Sequence, residues 1–176
     1  MIRTVPVLAF AFVIMWAAGQ SVLHNAASAT DGAVLHVDAT PIVFTLGSTD
    51  VPSPDAGPTV VYPSAGASFN VITAVPTQGL WLIDVDLSTP PRRAQGLATL
   101  SGDHVQVSLE ALDGSTADGC NDVPWTPIGS GMRVAALTSQ GTCRYEARLR
   151  LLFSGRLPPG SYEGVLAWSI TKAQSP

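Results

Sequence analysis

CRYEARLRLLF, from Cys143 to Phe153, is the stretch whose reading decides the fold. Cys143, Tyr145, Ala147, Leu149, Leu151 and Phe153 alternate with Arg144, Glu146, Arg148 and Arg150, a period of two that gives one dry face and one wet one. At helical spacing the same arginines would scatter around the cylinder and leave no apolar stripe. The segment is a strand, and its wet face carries three arginines.

Downstream, Ser161 to Thr171 repeats the scheme, with Tyr162, Leu166, Trp168 and Ile170 on one face and Glu163, Ser169 and Thr171 on the other. Leu157-Pro158-Pro159-Gly160 between the two strands reads as a turn. So short a connection predicts that they pair antiparallel, with the last strand well inside a sheet, since so apolar a strand would be an aggregation hazard as a bare edge. Upstream, Leu80 to Leu87 sets Trp81, Ile83, Val85 and Leu87 against Asp84 and Asp86, and His104 to Leu112 turns Val105, Val107, Leu109 and Ala111 inward. Weaker strands fit Ala33 to Val37, Ile42 to Leu46, Ser68 to Val75, Leu97 to Leu100 and Met132 to Leu137. Gly47 to Gly66 and Asp113 to Gly131 read as long loops. Fourteen prolines and sixteen glycines spread between these runs leave no room for an amphipathic helix, so the expected fold is all-β: an antiparallel two-sheet sandwich, immunoglobulin-like or jelly-roll.

Residues 1–29 read as an export signal. Arg3 supplies the positive start, Val5 to Ala18 an apolar run of 14 residues, and Ala27-Ser28-Ala29 the small-x-small pattern of a cleavage site. The run is shorter than the roughly 20 residues a membrane span needs, and Pro6 interrupts it. Cleavage would leave residues 30–176 as a single sandwich domain without integral membrane insertion. Losing Arg3 leaves eight basic against thirteen acidic residues, and such an anionic balance argues against nucleic acid as a partner. In an exported chain Cys120 and Cys143, the only cysteines, predict a disulfide.

The residues capable of chemistry do not form a complete motif. His36 and His104, the histidines left after cleavage, lack the spacing of zinc ligands to each other or to a cysteine. Asp103 beside His104 lacks a G-x-S-x-G nucleophile turn, so it reads as a solvated turn and not as part of a triad. Asp84 and Asp86 share a strand face as paired glycosidase carboxylates might, but nothing builds a cleft around them, and solubility of an outer face explains them. No catalytic residue and no cofactor is assigned. Asp113, Asp118, Asn121 and Asp122 are weak calcium candidates: they offer hard oxygen donors outside the EF-hand register, and turn-forming is their ordinary role. Trp125 lies in Val123-Pro124-Trp125-Thr126-Pro127, where flanking prolines hold the backbone extended; it is the candidate for surface binding, the alternative being a loop folded back to cap the core.

Two tripeptides, Trp81-Leu82-Ile83 and Trp168-Ser169-Ile170, together with Tyr162 to Ile170 (YEGVLAWSI) and Pro41 to Gly47 (PIVFTLG), resemble the WxL domain, with Ile in place of Leu in both motifs. That family is a bacterial surface domain of about this length, with an export signal and its distal motif in the final strand. The resemblance implies noncovalent attachment to the cell wall, with Trp81 and Trp168 at the matching positions; read from their strand faces alone, both are core residues.

The expected function is that of a secreted, non-enzymatic protein, noncovalently associated with the cell surface, whose partner is cell-wall polysaccharide or a surface protein. Leu157 to Ser161 (LPPGS) is not a sortase signal, and no lipobox cysteine follows the leader. The alternative is a pilin-like or fibre subunit whose segment Ala33 to Leu46 completes a neighbour's sheet, and a secreted hydrolase comes third. A sheet closed by the chain's own first strand would favour the binder.

Overall fold

A computed structural model of the chain describes residues 24–38, 43–47, 57–93, 101–129, 132–154 and 157–173. The described residues form an all-β sandwich of eleven strands: β1 (His24–Ala29), β2 (Val34–Val37), β3 (Phe44–Leu46), β4 (Thr59–Val61), β5 (Ser68–Val75), β6 (Trp81–Arg93), β7 (Val105–Ala111), β8 (Val123–Pro127), β9 (Met132–Leu137), β10 (Gly141–Phe153) and β11 (Gly160–Lys172). One sheet runs β1-β11-β6-β9, with β3 also on β11; the other runs β2-β5-β10-β7-β8, with β4 also on β10. Every pairing is antiparallel except β1 beside β11, which is parallel.

β10 buries Cys143, Tyr145, Ala147, Leu149, Leu151 and Phe153, the dry face read from its alternation. β11 does the same with Tyr162, Leu166, Trp168 and Ile170, and β6 with Trp81, Ile83, Val85 and Leu87. These faces meet in one continuous core, where the Phe69 ring of β5 stands edge-on to Trp168 at 6.0 Å between centroids. Each aliphatic or aromatic side chain so buried contributes about 1.5 to 3 kcal/mol.

The pairing expected between β10 and β11 is not there. β11 lies between β6 on one side and β1 and β3 on the other, while β10 lies in the opposite sheet. The connection after Phe153 crosses from sheet to sheet instead of folding into a hairpin. Both arrangements bury the two dry faces, and a few residues span the roughly 10 Å between packed sheets as easily as they turn a hairpin. Three strands are also missed by the sequence reading: β4 within Gly47 to Gly66 and β8 within Asp113 to Gly131, both taken as loops, and β1 within residues 1–29, read as an export signal. Leu97 to Leu100, the export leader up to residue 23 and the start of Ile42 to Leu46 fall outside the described residues. β6 continues past Leu87 to Arg93 through Pro90 and Pro91. β9 accompanies it only from Trp81 to Val85, so on that side the prolines have no ladder bond to withhold.

Cys120 and Cys143 form the expected disulfide, with their Cα atoms 5.7 Å apart. It ties the loop after β7 to the start of β10, where Thr116 N–H also donates to the Thr142 carbonyl (2.7 Å) and Asp118 N–H to the Ser139 hydroxyl (2.7 Å). Gly119 (φ +93°) lets the loop pass, since a Cβ there would collide with the Ala136 carbonyl oxygen.

In the core, the Tyr145 hydroxyl is buried with no hydrogen-bond partner among the described residues. Burial, and secondarily the negative charge of Asp122, pushes its pKa up to about 12. An unsatisfied buried hydroxyl costs free energy, so Tyr145→Phe is expected to raise unfolding stability by about 1 kcal/mol. A urea midpoint lower than that of the wild type would show that the hydroxyl has a partner.

Candidate functional site

Trp125 stands on β8, which among the described residues pairs with β7 alone and so lies at a sheet edge, where Pro124 and Pro127 cost no ladder bond on the other side. Val123 faces Leu109 and packs on the core, so plain alternation would carry Trp125 inward as well. It does not, because the register between β7 and β8 slips between Val107 and Leu109: three residues of β8 span what two of β7 span. This extra residue turns Trp125 to the outer face, in phase with Pro127 opposite Gln106, and leaves Thr126 and the buried Ile128 in the inward phase.

On that outer face the Arg150 guanidinium lies over the Trp125 ring, 4.4 Å from its centroid. Gln106, directly across the ladder, accepts from Arg150 Nε at 2.8 Å and so helps to fix the position of the guanidinium. Tyr62 meets Trp125 edge-on at 6.4 Å and is 57% exposed. With Val60 it accounts for two of the four large hydrophobic side chains exposed among the described residues. The outcome is a half-buried indole flanked by an exposed phenol and a cation.

The neighbouring charges are treated differently. Arg148 bonds both Glu146 (2.6 Å) and Glu110 (2.9 Å), and that hydrogen bond is the main reason the Glu146 carboxyl is held below its ordinary range. Arg133 lies 3.4 Å from Asp84 on the other sheet. Among the described residues Arg150 has no carboxylate partner; it has an aromatic face and an amide oxygen. Its charge is therefore oriented without being neutralised. A platform of this kind offers a stacking surface for a flat, partly apolar ring and a fixed cation for an anionic substituent.

The other sequence candidates are placed as follows. Trp81 and Trp168 are 0% and 1% exposed on the inward face of one sheet, so neither indole is available at the surface. Trp81 Nε1 donates to the Thr77 carbonyl at 3.0 Å, and Lys172 reaches over its ring. Asp113, Asp118, Asn121 and Asp122 are exposed along the loop, and Asp122 spends a carboxylate oxygen on the Ala111 N–H at 2.8 Å. No three His, Cys, Asp or Glu side chains gather as a metal cage would require among the described residues. His36 lies 3.4 Å from Asp38, whose carboxyl is held low mainly by the backbone and side-chain N–H groups of Asn70. Ser101 caps the single turn Gly102–His104 by accepting from Asp103 N–H, and His104 is partly exposed, with a buried Nδ1 that has no hydrogen-bond partner among the described residues. Among the described residues no helix is long and apolar enough to cross a membrane.

Tyr62, Gln106 and Arg150 were not legible as site residues. Tyr62 stood in a segment read as loop, and Arg150 was one of three like arginines on a wet face. Their meeting depends on β4 and β7 flanking the end of β10 on opposite sides, which no local pattern announces. No protein-family model, curated protein or solved structure matches this chain.

Proposed function

We propose that this protein is an exported, non-enzymatic β-sandwich that binds a cell-surface polymer through the face built by Tyr62, Trp125 and Arg150. The observation that carries the reading is the Arg150 guanidinium lying 4.4 Å from the centroid of the Trp125 ring and hydrogen-bonded to Gln106, beside an exposed tyrosine. Two aromatic groups at an angle suit the apolar face of a sugar ring, and a cation without a carboxylate partner suits a phosphate or carboxylate along the polymer. The export pattern, the disulfide and the W-x-I resemblance support the cell wall as the place. With Trp81 and Trp168 in the core, contact with the wall falls to residues outside that resemblance. Pairing of β2 with β5 and of β3 with β11 within the chain supports a binder over a fibre that donates Ala33 to Leu46.

Trp125→Ala is the test. It is expected to weaken pelleting with purified cell walls by a factor of roughly 5 to 150, as loss of an aromatic anchor worth about 1 to 3 kcal/mol would. Stability should stay nearly unchanged, because Trp125 lies outside the core cluster. Wild-type pelleting by a variant that melts several degrees lower would mean that the indole is a structural lid, and the proposal would fall.

A further inference from the structure

Thr30-Asp31-Gly32-Ala33 carries the chain from β1 in one sheet to β2 in the other. Asp31 (φ +53°) and Gly32 (φ +76°) are both left-handed, and Ala33 N–H donates to the Thr30 carbonyl at 3.0 Å. Positive φ at both central positions marks a type I′ turn, for which Asp-Gly is a favoured pair. Asp31 is the one non-glycine residue with positive φ among the described residues, and that conformation costs free energy in any residue with a Cβ. Such a turn folds a chain back, so it has a role only where ordered chain lies on both sides of it.

Both sides are ordered. After the turn, β2 pairs with β5 from Val34 to Val37. Before it, β1 runs in register along β11 from His24 beside Val165 to Ala29 beside Ile170, and Thr30 N–H prolongs the ladder by donating to the Ile170 carbonyl at 3.3 Å. The six residues of β1 end on Ala27-Ser28-Ala29, so cleavage there would remove the whole strand and leave the turn as a free end. Those three residues are exposed on β1, and small side chains on a strand read as small-x-small whether or not a peptidase meets them. The same pattern occurs where the apolar run of the leader ends, as Ala17-Ala18-Gly19 and as Gly19-Gln20-Ser21, both ahead of β1.

On the export reading, we infer that the leader is cut after Gly19 or Ser21 and that His24 to Ala29 stay in the mature domain as its first strand. The signal then ends with the apolar run, and the fold begins at β1. Retention bears on the choice between binder and fibre, because the chain's own strand occupies the place beside Val165 to Ile170 that a neighbour's strand would need. The face around Trp125 lies in the other sheet, so it does not depend on where the leader ends.

The experiment is to express the full chain in secreting cells, recover the exported product, sequence its N-terminus and follow its thermal unfolding. A terminus ahead of His24, at Gln20 or Val22, is expected. Ala29→Lys breaks the small-x-small pattern at an exposed position and should leave that terminus unchanged. Gly32→Ala should lower the melting midpoint by about 2 to 8 °C, since it strains a turn that holds β1 in place. The added Cβ meets only Pro76 Cγ at an ordinary 3.8 Å, so the strain lies in φ alone. An exported chain that begins within or after β1 overturns the inference, and so does a block of processing by Ala29→Lys. An unchanged midpoint for Gly32→Ala also overturns it, since the turn then holds no strand. A chain that is not exported, or is exported uncut, removes the export reading itself and the inference with it, which a terminus at Thr30 would not do.

Discussion

Replacing Trp168 by alanine is expected to lower the unfolding free energy by about 3 to 5 kcal/mol, as truncation of a buried Trp or Phe does. The indole is 1% exposed at the middle of β11, flanked in its sheet by Val85 of β6 and Ala27 of β1 and met from the opposite sheet by Phe69. Truncation therefore removes both the buried area and an edge-to-face pair worth about 0.5 to 1.5 kcal/mol beyond that area. Domains of this size are stable by only about 5 to 15 kcal/mol, so the loss is a large share of the total. Urea denaturation followed by circular dichroism reads it directly. A midpoint equal to that of the wild type would place the indole at the surface and make Trp168, rather than Trp125, the residue to test against the wall.

The disulfide is the second large contribution. Cys120 and Cys143 are 23 positions apart, and closing a loop of that length restricts the unfolded chain by roughly 3 kcal/mol. Reduction, or the double variant Cys120→Ala with Cys143→Ala, is expected to lower the urea midpoint accordingly while leaving the strands in place. The loop keeps its other bonds: Leu112 N–H to the Arg144 carbonyl at 2.8 Å and Arg144 N–H to the Ser115 hydroxyl at 3.1 Å. Reduction is the cleaner experiment, because Cys143 is itself fully buried and its truncation adds a small cavity. Equal midpoints with and without reductant would mean that these hydrogen bonds alone hold the loop and that the crosslink contributes nothing.

β5 and β9 lie where the alternation put them, residue for residue; β10 is longer than read by two residues at its N-terminal end, and β11 by one residue at each end. A period of two is a local property, and one buried face is enough to enforce it. β4 and β8 escaped notice for the converse reason. Thr59-Val60-Val61 is too short to display a period, and Val123 to Pro127 holds two prolines that argue against a strand unless it lies on an edge. Being on an edge is a fact about neighbours, not about the five residues themselves.

Sequence alone determined the all-β character, the dry faces of the long strands and the pairing of the two cysteines, because each follows from residue type and spacing along the chain. Tertiary structure decided that β10 and β11 belong to opposite sheets, since burial of their apolar faces is satisfied equally by a hairpin and by a crossing. It also decided the candidate site. One extra residue in β8 reverses the direction of Trp125, and pairing on both sides of β10 brings Tyr62 and Gln106 to Arg150 from 88 and 44 positions away in the chain. Contacts at such separations exist only once the sheets have closed, when the core has fixed which strands are neighbours and in what register.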